Sequence, residues 1–282
     1  MKKDNYFRPA VTVDSIIFTI KSEDTDNYRK LPKKKLQVLL VKRGEEPFKN
    51  KWGLPGTFVG EKERFEDSIK RSLAEKANIK DIYLEQLYAW DGIDRDPRER
   101  IISNSYMGLV DSNDIELKAG KNVEEVSWFN IRLKSIKMEN KENKDGYVKK
   151  EEIEVILENK NTKLKGKVRI FKEFINGRLT IYTQILESDL AFDHIIILIY
   201  AIESLKNKVE YTTIAFSLMP EKFTLTNLQH VYEILLDKPL IKANFRRKIA
   251  DMVIETEEYD DNAGHRPSKL YKFNTNWQPH VF

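Results

Sequence analysis

Cysteine is absent from the 282 residues of this chain, and no long hydrophobic run occurs. Without thiols the protein forms neither disulfides nor thiolate metal sites, and it has no cysteine nucleophile. The most apolar stretch, residues 195–202, is far shorter than the ~20 residues that span a bilayer, so a buried helix is predicted there. The first residues are basic but lack the apolar run of a signal peptide. These absences predict a cytoplasmic protein that has no membrane partner.

Neither sign of charge dominates, because 49 basic and 45 acidic residues give a net charge of +4. This balance by itself indicates no nucleic-acid partner, so such a function must rest on local basic clusters. The four histidines, His194, His230, His265 and His280, show no metal-ligand spacing. Each is expected to pack in the fold or to lie at the surface, and no metal site is predicted.

The N-terminal half predicts an α+β fold with several strands and one acidic helix. Runs rich in β-branched and aliphatic residues lie at 12–20, 35–43, 83–90, 99–110 and 123–130. In the helix, an apolar stripe recurs every four residues at Phe65, Ile69, Leu73 and Ala77.

An insert is predicted over about residues 134–186. Residues 134–152 are almost entirely polar, which predicts a loop, and three strand-like segments follow as an antiparallel meander. Asn176-Gly177 suits a tight hairpin turn between the last two segments. The added strands could cover a pocket, extend the sheet or contribute to a dimer contact. A helix follows, with Asp193 placed to cap its first turn.

From about residue 209, the pattern of helix, short turn, helix and hairpin is typical of a winged helix-turn-helix. One face of the first helix is apolar at Leu225, Leu228, Val231, Tyr232 and Leu235. Thr226 and Gln229 match a capping box, which predicts where this helix begins.

The second helix of this segment has a basic side opposite its apolar face. Its basic residues are Lys242, Arg246, Arg247 and Lys248. Such a helix fits the major groove of DNA, where basic side chains bind phosphates or guanine edges and Asn244 could pair with adenine. Arg266 and Lys269 lie at the base of the hairpin, where a wing would touch DNA. The alternative is a solvated charged face, and the acidic residues 255–261 indicate that the hairpin tip points away from phosphate.

The segment 54–79, LPGTFVGEKERFEDSIKRSLAEKANI, resembles the Nudix box, G-x5-E-x7-R-E-U-x-E-E-x-G-U, where U is aliphatic. In the best register Glu63 takes the first glutamate and Arg71 the arginine, while Asn78 replaces the last glycine. The three glutamates that face Mg²⁺ in this family fall on Ser72, Glu75 and Lys76. An unrelated acidic amphipathic helix is the alternative.

The altered Nudix box bears directly on catalysis. Mg²⁺ prefers several hard oxygen ligands, and only Glu75 remains on the metal face. An ammonium at Lys76 would repel a metal ion, by about 4 kcal/mol per unit charge at 4 Å, unless it turns into solvent. Glu63 and Arg71 can still pair and fix the loop against the helix. We therefore expect a Nudix fold with weak or absent hydrolysis, no required cofactor, and Glu75 as the one ligand if Mg²⁺ binds.

Residues 83–110 contain an aromatic residue, an Arg-Asp-Pro-Arg loop and a serine-containing strand. This stretch is similar to the corresponding one in Nudix proteins that act on ADP-ribose-like ligands and in regulators derived from them. The resemblance implies ligand contacts by Arg43, Trp90, Arg95, Arg98 and Arg100. Arginine forks bind phosphates, and Trp90 could stack on a base or sugar. A solvated turn with internal salt bridges is the alternative.

Residues 216–273 resemble the winged helix of NrtR-type transcription regulators, chiefly through KANFRRKI and RPSKLYKF. The resemblance implies a Nudix α/β/α sandwich with a mixed sheet over residues 1–206 and a winged helix over 207–282. It also implies a repressor that responds to ADP-ribose or a sugar ligand and binds a double-stranded DNA operator. Because one winged helix reads one half-site, a homodimer on an operator with two-fold symmetry is expected. The alternatives are an ADP-ribose pyrophosphatase-like hydrolase that uses Mg²⁺ and an RNA-binding adaptor.

Overall fold

The computed structural model describes residues 6–22, 34–80, 82–112, 115–260 and 267–278. These residues form two compact units. The first unit holds the described residues of 1–18, 37–108 and 115–201, and the second holds those of 19–36, 109–114 and 202–282. In the described part of the chain, no helix is both long enough and apolar enough to cross a bilayer.

Ten strands of the described chain join into one sheet. In chain order they are β1 Ala10–Ser22, β2 Lys34–Arg43, β3 Trp52–Gly53, β4 Gly56–Phe58, β5 Glu85–Trp90, β6 Ile101–Leu109, β7 Val123–Asn143, β8 Gly146–Glu158, β9 Lys163–Ile175 and β10 Arg178–Ser188. Neighbours follow the order β10-β9-β8-β7-β2-β1-β6-β5, while β3 pairs with β2 and β4 with β1. The strands predicted in the N-terminal half are therefore confirmed.

The middle of this sheet is a hydrophobic core. Residues 13–19 of β1 and 38–41 of β2 are buried without interruption, so both faces of these two strands are covered. Helix α1, Phe65–Ala77, packs Ile69 against Val13 and Tyr106. The sheet and this helix together position the elements that line the candidate site.

Most of the apolar stripe predicted for α1 is confirmed. Ile69, Leu73 and Ala77 are buried. Phe65 is wrongly included in it, because it is the first residue of the helix and is 38% exposed. The helix ends as expected at Asn78, which adopts a left-handed conformation with a φ of 58°.

The polar segment 134–152 is not the predicted loop but most of a long hairpin. β7 pairs first with β2 and then continues to the end of its hairpin with β8. Lys137 lies opposite Glu152, and Glu139 opposite Lys150, and such cross-strand pairs of opposite charge stabilise a sheet. Residues 134–142 are exposed on both faces, so the apolar alternation that predicts a strand is missing.

The predicted antiparallel meander is confirmed in β8, β9 and β10. Its last turn uses Asn176 and Gly177, whose φ values of 50° and 78° are both positive, as a type I′ turn requires. Because β7 runs from the core sheet into this meander, the insert extends the sheet.

Helix α2, His194–Tyr211, confirms the predicted apolar helix after the meander. Its first turns bury Ile195, Ile197 and Leu198. The carboxylate of Asp193, which was expected to cap this helix, accepts two hydrogen bonds from Arg95.

The second unit contains the predicted arrangement of two helices and a hairpin. Its elements after α2 are a 3₁₀ helix Ile214–Leu218, β11 Phe223–Thr224, α3 Leu225–Leu236, α4 Lys242–Ile249, a 3₁₀ helix Ala250–Met252, β12 Val253–Asp260 and β13 Ser268–Phe273. These three strands pair in the order β11-β13-β12.

The start of α3 differs from the prediction. Thr224 is the N-cap, and its side chain accepts a 3.1 Å hydrogen bond from the backbone N–H of Asn227. The capping box at Thr226 and Gln229 is therefore wrong. The predicted apolar face is present, with buried side chains at Leu228, Val231, Tyr232 and Leu235.

Aromatic packing joins α3 to α4. The ring of Tyr232 meets that of Phe245 edge-on, with centroids 5.2 Å apart, and Phe245 is buried. Burial also raises the pKa of the Tyr232 hydroxyl to about 12. This contact fixes one side of α4 and leaves its other side exposed.

Candidate ligand cleft and nucleic-acid interface

A cleft of about 230 Å³ opens in the first unit, lined by parts of β1, β4, α1, the loop 91–100 and the residues just before α2. The backbone of Gly56 closes one side of it. A Cβ added to Gly56 would lie 2.1 Å from Oδ1 of Asp14. Glycine in the LPG sequence therefore allows β4 to lie directly against the Asp14 carboxylate.

Glu63 and Arg71 pair as predicted. Nε of Arg71 lies 2.7 Å from Oε1 of Glu63, and Nη2 lies 2.8 Å from Oε2. The Ser68 hydroxyl and the backbone N–H of Gly60 donate to the same carboxylate. These hydrogen bonds, that of Arg71 foremost, lower the pKa of Glu63 to about 2. The pair therefore fixes the loop before α1 against the helix.

In the register of the Nudix-box resemblance, Ser72, Glu75 and Lys76 fall on the helix face expected to hold Mg²⁺. Ser72 is buried, and Oε2 of Glu75 lies 3.8 Å from Nη1 of Arg71. Lys76 Nζ donates a 2.5 Å hydrogen bond to the carbonyl oxygen of Gly56. A single carboxylate between a guanidinium and an ammonium is a poor ligand set for a divalent cation, so this face does not fit Mg²⁺.

The position of Lys76 decides between the two orientations that the sequence left open. Its ammonium does not turn into solvent but lines the cleft. Burial lowers the pKa of Lys76, and the charge of Arg43 adds to this effect, whereas Asp14, Glu45 and Glu75 raise it. The cleft thus contains a fixed cation of its own.

Three of the five residues predicted to bind the ligand meet at the cleft, namely Arg43, Arg95 and Arg98. Nε of Arg43 donates to the carbonyl of Pro47, and its guanidinium carbon lies 4.9 Å from the ring centroid of Phe192. Arg98 forms two hydrogen bonds, of 2.9 and 2.8 Å, with the carboxylate of Asp96. The alternative prediction for this loop was a solvated turn with internal salt bridges. One such salt bridge is therefore present.

The Arg95 side chain is buried and turned away from solvent. It is 6% exposed, it forms two hydrogen bonds of 2.9 and 2.8 Å with Asp193, and its Nη2 lies 3.5 Å from Oδ2 of Asp14. These ionic contacts raise the pKa of Arg95, although burial, which lowers it, is the largest influence. The residue ties the loop 91–100 to the start of α2.

Trp90 and Arg100 lie outside the cleft lining. Trp90 donates to the hydroxyl of Ser105, and its ring packs with those of Tyr88 and Tyr200. Arg100 donates to backbone carbonyls at positions 91 and 92, within its own loop. A ligand contact by either residue stays a prediction.

Sequence reasoning did not predict a site role for four residues that lie in or beside the cleft: Asp14, Phe192, Asp193 and His194. A signal was present in each case. Asp14 is a lone carboxylate in an otherwise apolar strand. The other three residues directly precede the apolar run 195–202. Phe192 also has a positive φ of 52°, which is uncommon for a bulky residue and is often found at functional sites.

His194 is buried and neutral in the cleft wall. Its Nδ1 accepts a 2.9 Å hydrogen bond from the backbone N–H of Leu54, so its proton lies on Nε2, which is 3.7 Å from Oδ1 of Asp14. Burial is the main cause that lowers the pKa of His194 below its ordinary value. The residue was expected only to pack or to lie at the surface, and here it packs against the LPG segment.

Helix α4 presents the predicted basic side to solvent. Its exposed residues include Lys242, Asn244, Arg246, Arg247 and Lys248. Phe245 and Ile249 are buried on the opposite side. Arg247 Nη2 donates to the side-chain oxygen of Asn244 at 3.3 Å. The exposed side is suited to contact a nucleic-acid backbone or groove.

Of the two predicted wing residues, Lys269 is described and Arg266 lies outside the described residues. Lys269 Nζ lies 3.3 Å from the hydroxyl of Tyr259 and 3.3 Å from Oε1 of Glu255. These two contacts, that with Tyr259 first, raise the pKa of Lys269. The lysine is therefore paired with the acidic strand β12.

Comparison with proteins of known family matches both parts of the chain. The NUDIX domain model covers residues 31–149, and the NrtR DNA-binding winged helix domain model covers residues 215–273. The chain is 30% identical over 275 residues to the "ADPR responsive transcriptional repressor NtrR" of Acinetobacter baylyi. That alignment covers 96% of this chain and 85% of the relative.

Solved structures agree with this assignment. Shewanella oneidensis NrtR, crystallised with a 27mer DNA, matches with a TM-score of 0.60 and 27% identity, covering 94% of this chain and 93% of that one. A MutT/nudix family protein from Enterococcus faecalis matches in fold with a TM-score of 0.69 at 24% identity, covering 97% and 90% of the two chains. The predicted α+β fold, a Nudix domain followed by a winged helix, is confirmed, and this chain belongs to the NrtR family of Nudix-related transcriptional regulators.

Proposed function

We propose that this protein is a ligand-responsive, DNA-binding transcriptional repressor that senses ADP-ribose or a related nucleotide or sugar phosphate. One observation carries the proposal: a single chain combines a cleft that contains several arginines and lysines and whose metal face does not fit Mg²⁺ with an exposed basic helix. The relatives support it, because the Acinetobacter protein is described as an ADPR-responsive repressor and the Shewanella protein was crystallised with DNA.

The ligand is bound in the cleft, where Arg43 keeps terminal nitrogens for phosphate and Arg98, whose guanidinium is held by Asp96, lines the wall. Guanidinium groups bind phosphate oxygens through forked donors, and both side chains line the cleft. Arg98 lies 5.2 Å from the ring centroid of Phe58, and Phe192 lies beside Arg43. These rings offer apolar surface to a sugar or a base, while Arg95 positions the loop.

The DNA is bound by α4 in the major groove. Lys242, Arg246, Arg247 and Lys248 contact phosphates or guanine edges, and Asn244 contacts adenine. Arg266 and Lys269 are the predicted DNA contacts of the wing, and Lys269 would exchange its contact with Glu255 for a phosphate. This module begins at about residue 207, after a ligand-binding domain over residues 1–206.

A homodimer is the expected binding species. One winged helix reads one half-site, so two copies related by a two-fold axis would bind an operator of matching symmetry. The protein acts in the cytoplasm, where its DNA and its nucleotide ligand are found, and it needs no cofactor.

The response to ligand passes through α2. Asp193 precedes this helix and is held by Arg95 in the ligand-binding loop, and the chain continues from α2 into the winged helix. Ligand changes the DNA affinity only if it binds two arrangements of the protein unequally. We propose that the Arg95–Asp193 pair distinguishes these two arrangements.

The direct test is a gel-shift assay with the DNA upstream of the gene and of its neighbours, run with and without ADP-ribose. Retarded DNA whose fraction changes with ADP-ribose concentration is expected. Unchanged retardation at every ADP-ribose concentration would refute the sensing function, and absence of any retardation would refute DNA binding.

The second candidate function is a Mg²⁺-dependent hydrolase of a nucleoside diphosphate derivative. The presence of Glu75 and of the Glu63–Arg71 pair favours it, and Lys76 in the cleft argues against it. Incubation with ADP-ribose and Mg²⁺ followed by detection of AMP separates the two. Robust turnover that Glu75→Gln abolishes would make the hydrolase the primary function.

A further inference from the structure

Lys76 is held in the cleft by a backbone carbonyl and not by an acidic partner. Its ammonium has three donors, and one of them is used by the carbonyl oxygen of Gly56. Among the described residues, no ion pair within 4 Å involves Lys76. Two of its donors therefore remain for a bound anion.

Three other cations of the cleft already have carboxylate partners. Arg71 is paired with Glu63, and Arg98 with Asp96. Arg95 is paired with Asp193 and is buried. Their positive charge is largely neutralised before a ligand arrives.

Besides Lys76, two cations of the cleft have no carboxylate partner within 4 Å among the described residues, the exposed Lys121 and the half-buried Arg43. Nε of Arg43 is used by the carbonyl of Pro47, which orients the guanidinium and leaves its terminal nitrogens for other partners. Burial and the charge of Arg98 lower its pKa, but an arginine remains charged at neutral pH. Arg43 and Lys76 together provide two positive charges that are not neutralised by a salt bridge.

We propose that Lys76, together with Arg43, takes the place of the divalent metal ion and supplies the charge that binds the diphosphate group of the ligand. The inference rests on the proposed function, since it concerns the same cleft. Binding of the ligand is then independent of Mg²⁺. The substitution of a metal-face carboxylate by lysine thus replaces a metal-binding surface with a diphosphate-binding one.

The charge of the ligand reinforces this arrangement. Negative charge near an ammonium favours its protonated form, so a diphosphate beside Lys76 keeps the lysine charged despite its burial. A divalent metal ion in the same place would lie beside the ammonium, and two neighbouring positive charges repel each other. Lys76 therefore favours the anion and disfavours the metal at the same position.

The test is isothermal titration of the full chain with ADP-ribose and with inorganic pyrophosphate, in EDTA and in Mg²⁺. The wild-type protein is expected to bind equally well in both buffers. Lys76→Met is expected to lower the affinity by about 10- to 100-fold in EDTA, while Lys76→Arg retains most of it. Lys70→Met, an exposed change on the same helix, is the matched control and leaves binding unchanged.

If the inference holds, Lys76→Glu makes ligand binding depend on Mg²⁺. The new carboxylate beside Glu75 repels the diphosphate in EDTA, and Mg²⁺ restores part of the affinity. Thermal melts of each variant show that it is folded, and the wild-type comparison of the two buffers needs no variant.

Each contrary result has a distinct meaning. Wild-type binding that requires Mg²⁺, or unchanged affinity in Lys76→Met, overturns the role of Lys76 but leaves the sensing function intact. Failure of the wild-type protein to bind either probe in either buffer overturns both.

Discussion

Arg95 and Asp193 are joined by two hydrogen bonds, Nε to Oδ2 at 2.9 Å and Nη2 to Oδ1 at 2.8 Å, although 98 residues separate them in the chain. The pair connects the loop predicted to contact ligand with the residue that precedes α2. Both side chains are mostly buried, with exposures of 6% and 14%. Such a pair is costly to break because it leaves a buried charge without its partner.

Asp193→Asn is expected to lower the free energy of unfolding by about 3 kcal/mol, because the buried Arg95 guanidinium keeps its charge, loses its nearer anion and retains only Asp14 at 3.5 Å. Glu158→Gln is the control, since Glu158 pairs with an exposed Arg132 at 3.1 Å and such pairs contribute about 0–1 kcal/mol. Denaturant unfolding of both variants measures the difference. Equal stabilities of the two variants would contradict a structural role for the pair.

Asp193→Asn is also expected to weaken the response to ligand. The variant should still bind DNA and ADP-ribose, but ADP-ribose should change its DNA affinity less than it changes that of the wild-type protein. The measurement is the ratio of the DNA dissociation constants with and without saturating ADP-ribose. A ratio equal to that of the wild-type protein would exclude this pair from the coupling.

Exchange of Arg246 and Arg247 for alanine is expected to weaken binding to duplex DNA by about 100-fold, because each residue can make a charge-assisted hydrogen bond to phosphate or guanine. The slope of the salt dependence should also fall by about one for each phosphate that the variant no longer neutralises. Fluorescence anisotropy at several salt concentrations measures both. The control is the double variant Arg132→Ala and Arg178→Ala. Both arginines are exposed in the sheet extension, so this variant loses the same charge away from α4 and should bind DNA almost as well as the wild-type protein.

Acid should destabilise the protein through His194. Its pKa is lowered in the folded state, so the unfolded state binds a proton more readily, and stability falls as the pH decreases below the unfolded value of about 6.5. Protonation of Nδ1 would also break the hydrogen bond from Leu54. His194→Gln can accept that hydrogen bond without titrating, so its melting temperature should change less between pH 7.5 and 5.5, a range about one unit on either side of that value. A decrease as large as in the wild-type protein would assign the acid effect to other groups.

Much of the fold could be predicted from sequence because its signals are local. The apolar spacing of Ile69, Leu73 and Ala77 predicts α1, and the turn pair Asn176-Gly177 predicts the last hairpin. The Nudix-like and winged-helix-like segments each place several chemical groups at fixed spacing. Short-range patterns of this kind can be recognised without knowledge of the tertiary structure.

The part of the β7–β8 hairpin over residues 134–152 could not be predicted in this way. Residues 134–142 of β7 are exposed, and charged residues there lie opposite residues of opposite charge on β8, as Lys137 lies opposite Glu152. A strand that is polar on both faces shows no alternation of apolar and polar residues, so its sequence predicts a loop.

The candidate site was only partly predictable for a different reason. Sequence identified Arg43, Arg95 and Arg98, which line the cleft, but a residue type does not reveal the direction of its side chain. The cleft position of Lys76 depends on the carbonyl of Gly56, which lies 20 residues away. Asp193 becomes relevant only through its long-range pairing with Arg95.

The most direct test of ligand sensing without hydrolysis follows DNA binding and ligand chemistry in one sample. Labelled operator DNA is mixed with the protein and Mg²⁺, ADP-ribose is titrated while anisotropy is recorded, and the nucleotides are then separated. A saturable change in anisotropy with ADP-ribose recovered intact is the expected result. Accumulation of AMP over many turnovers, or no change in anisotropy at saturating ADP-ribose, would contradict it.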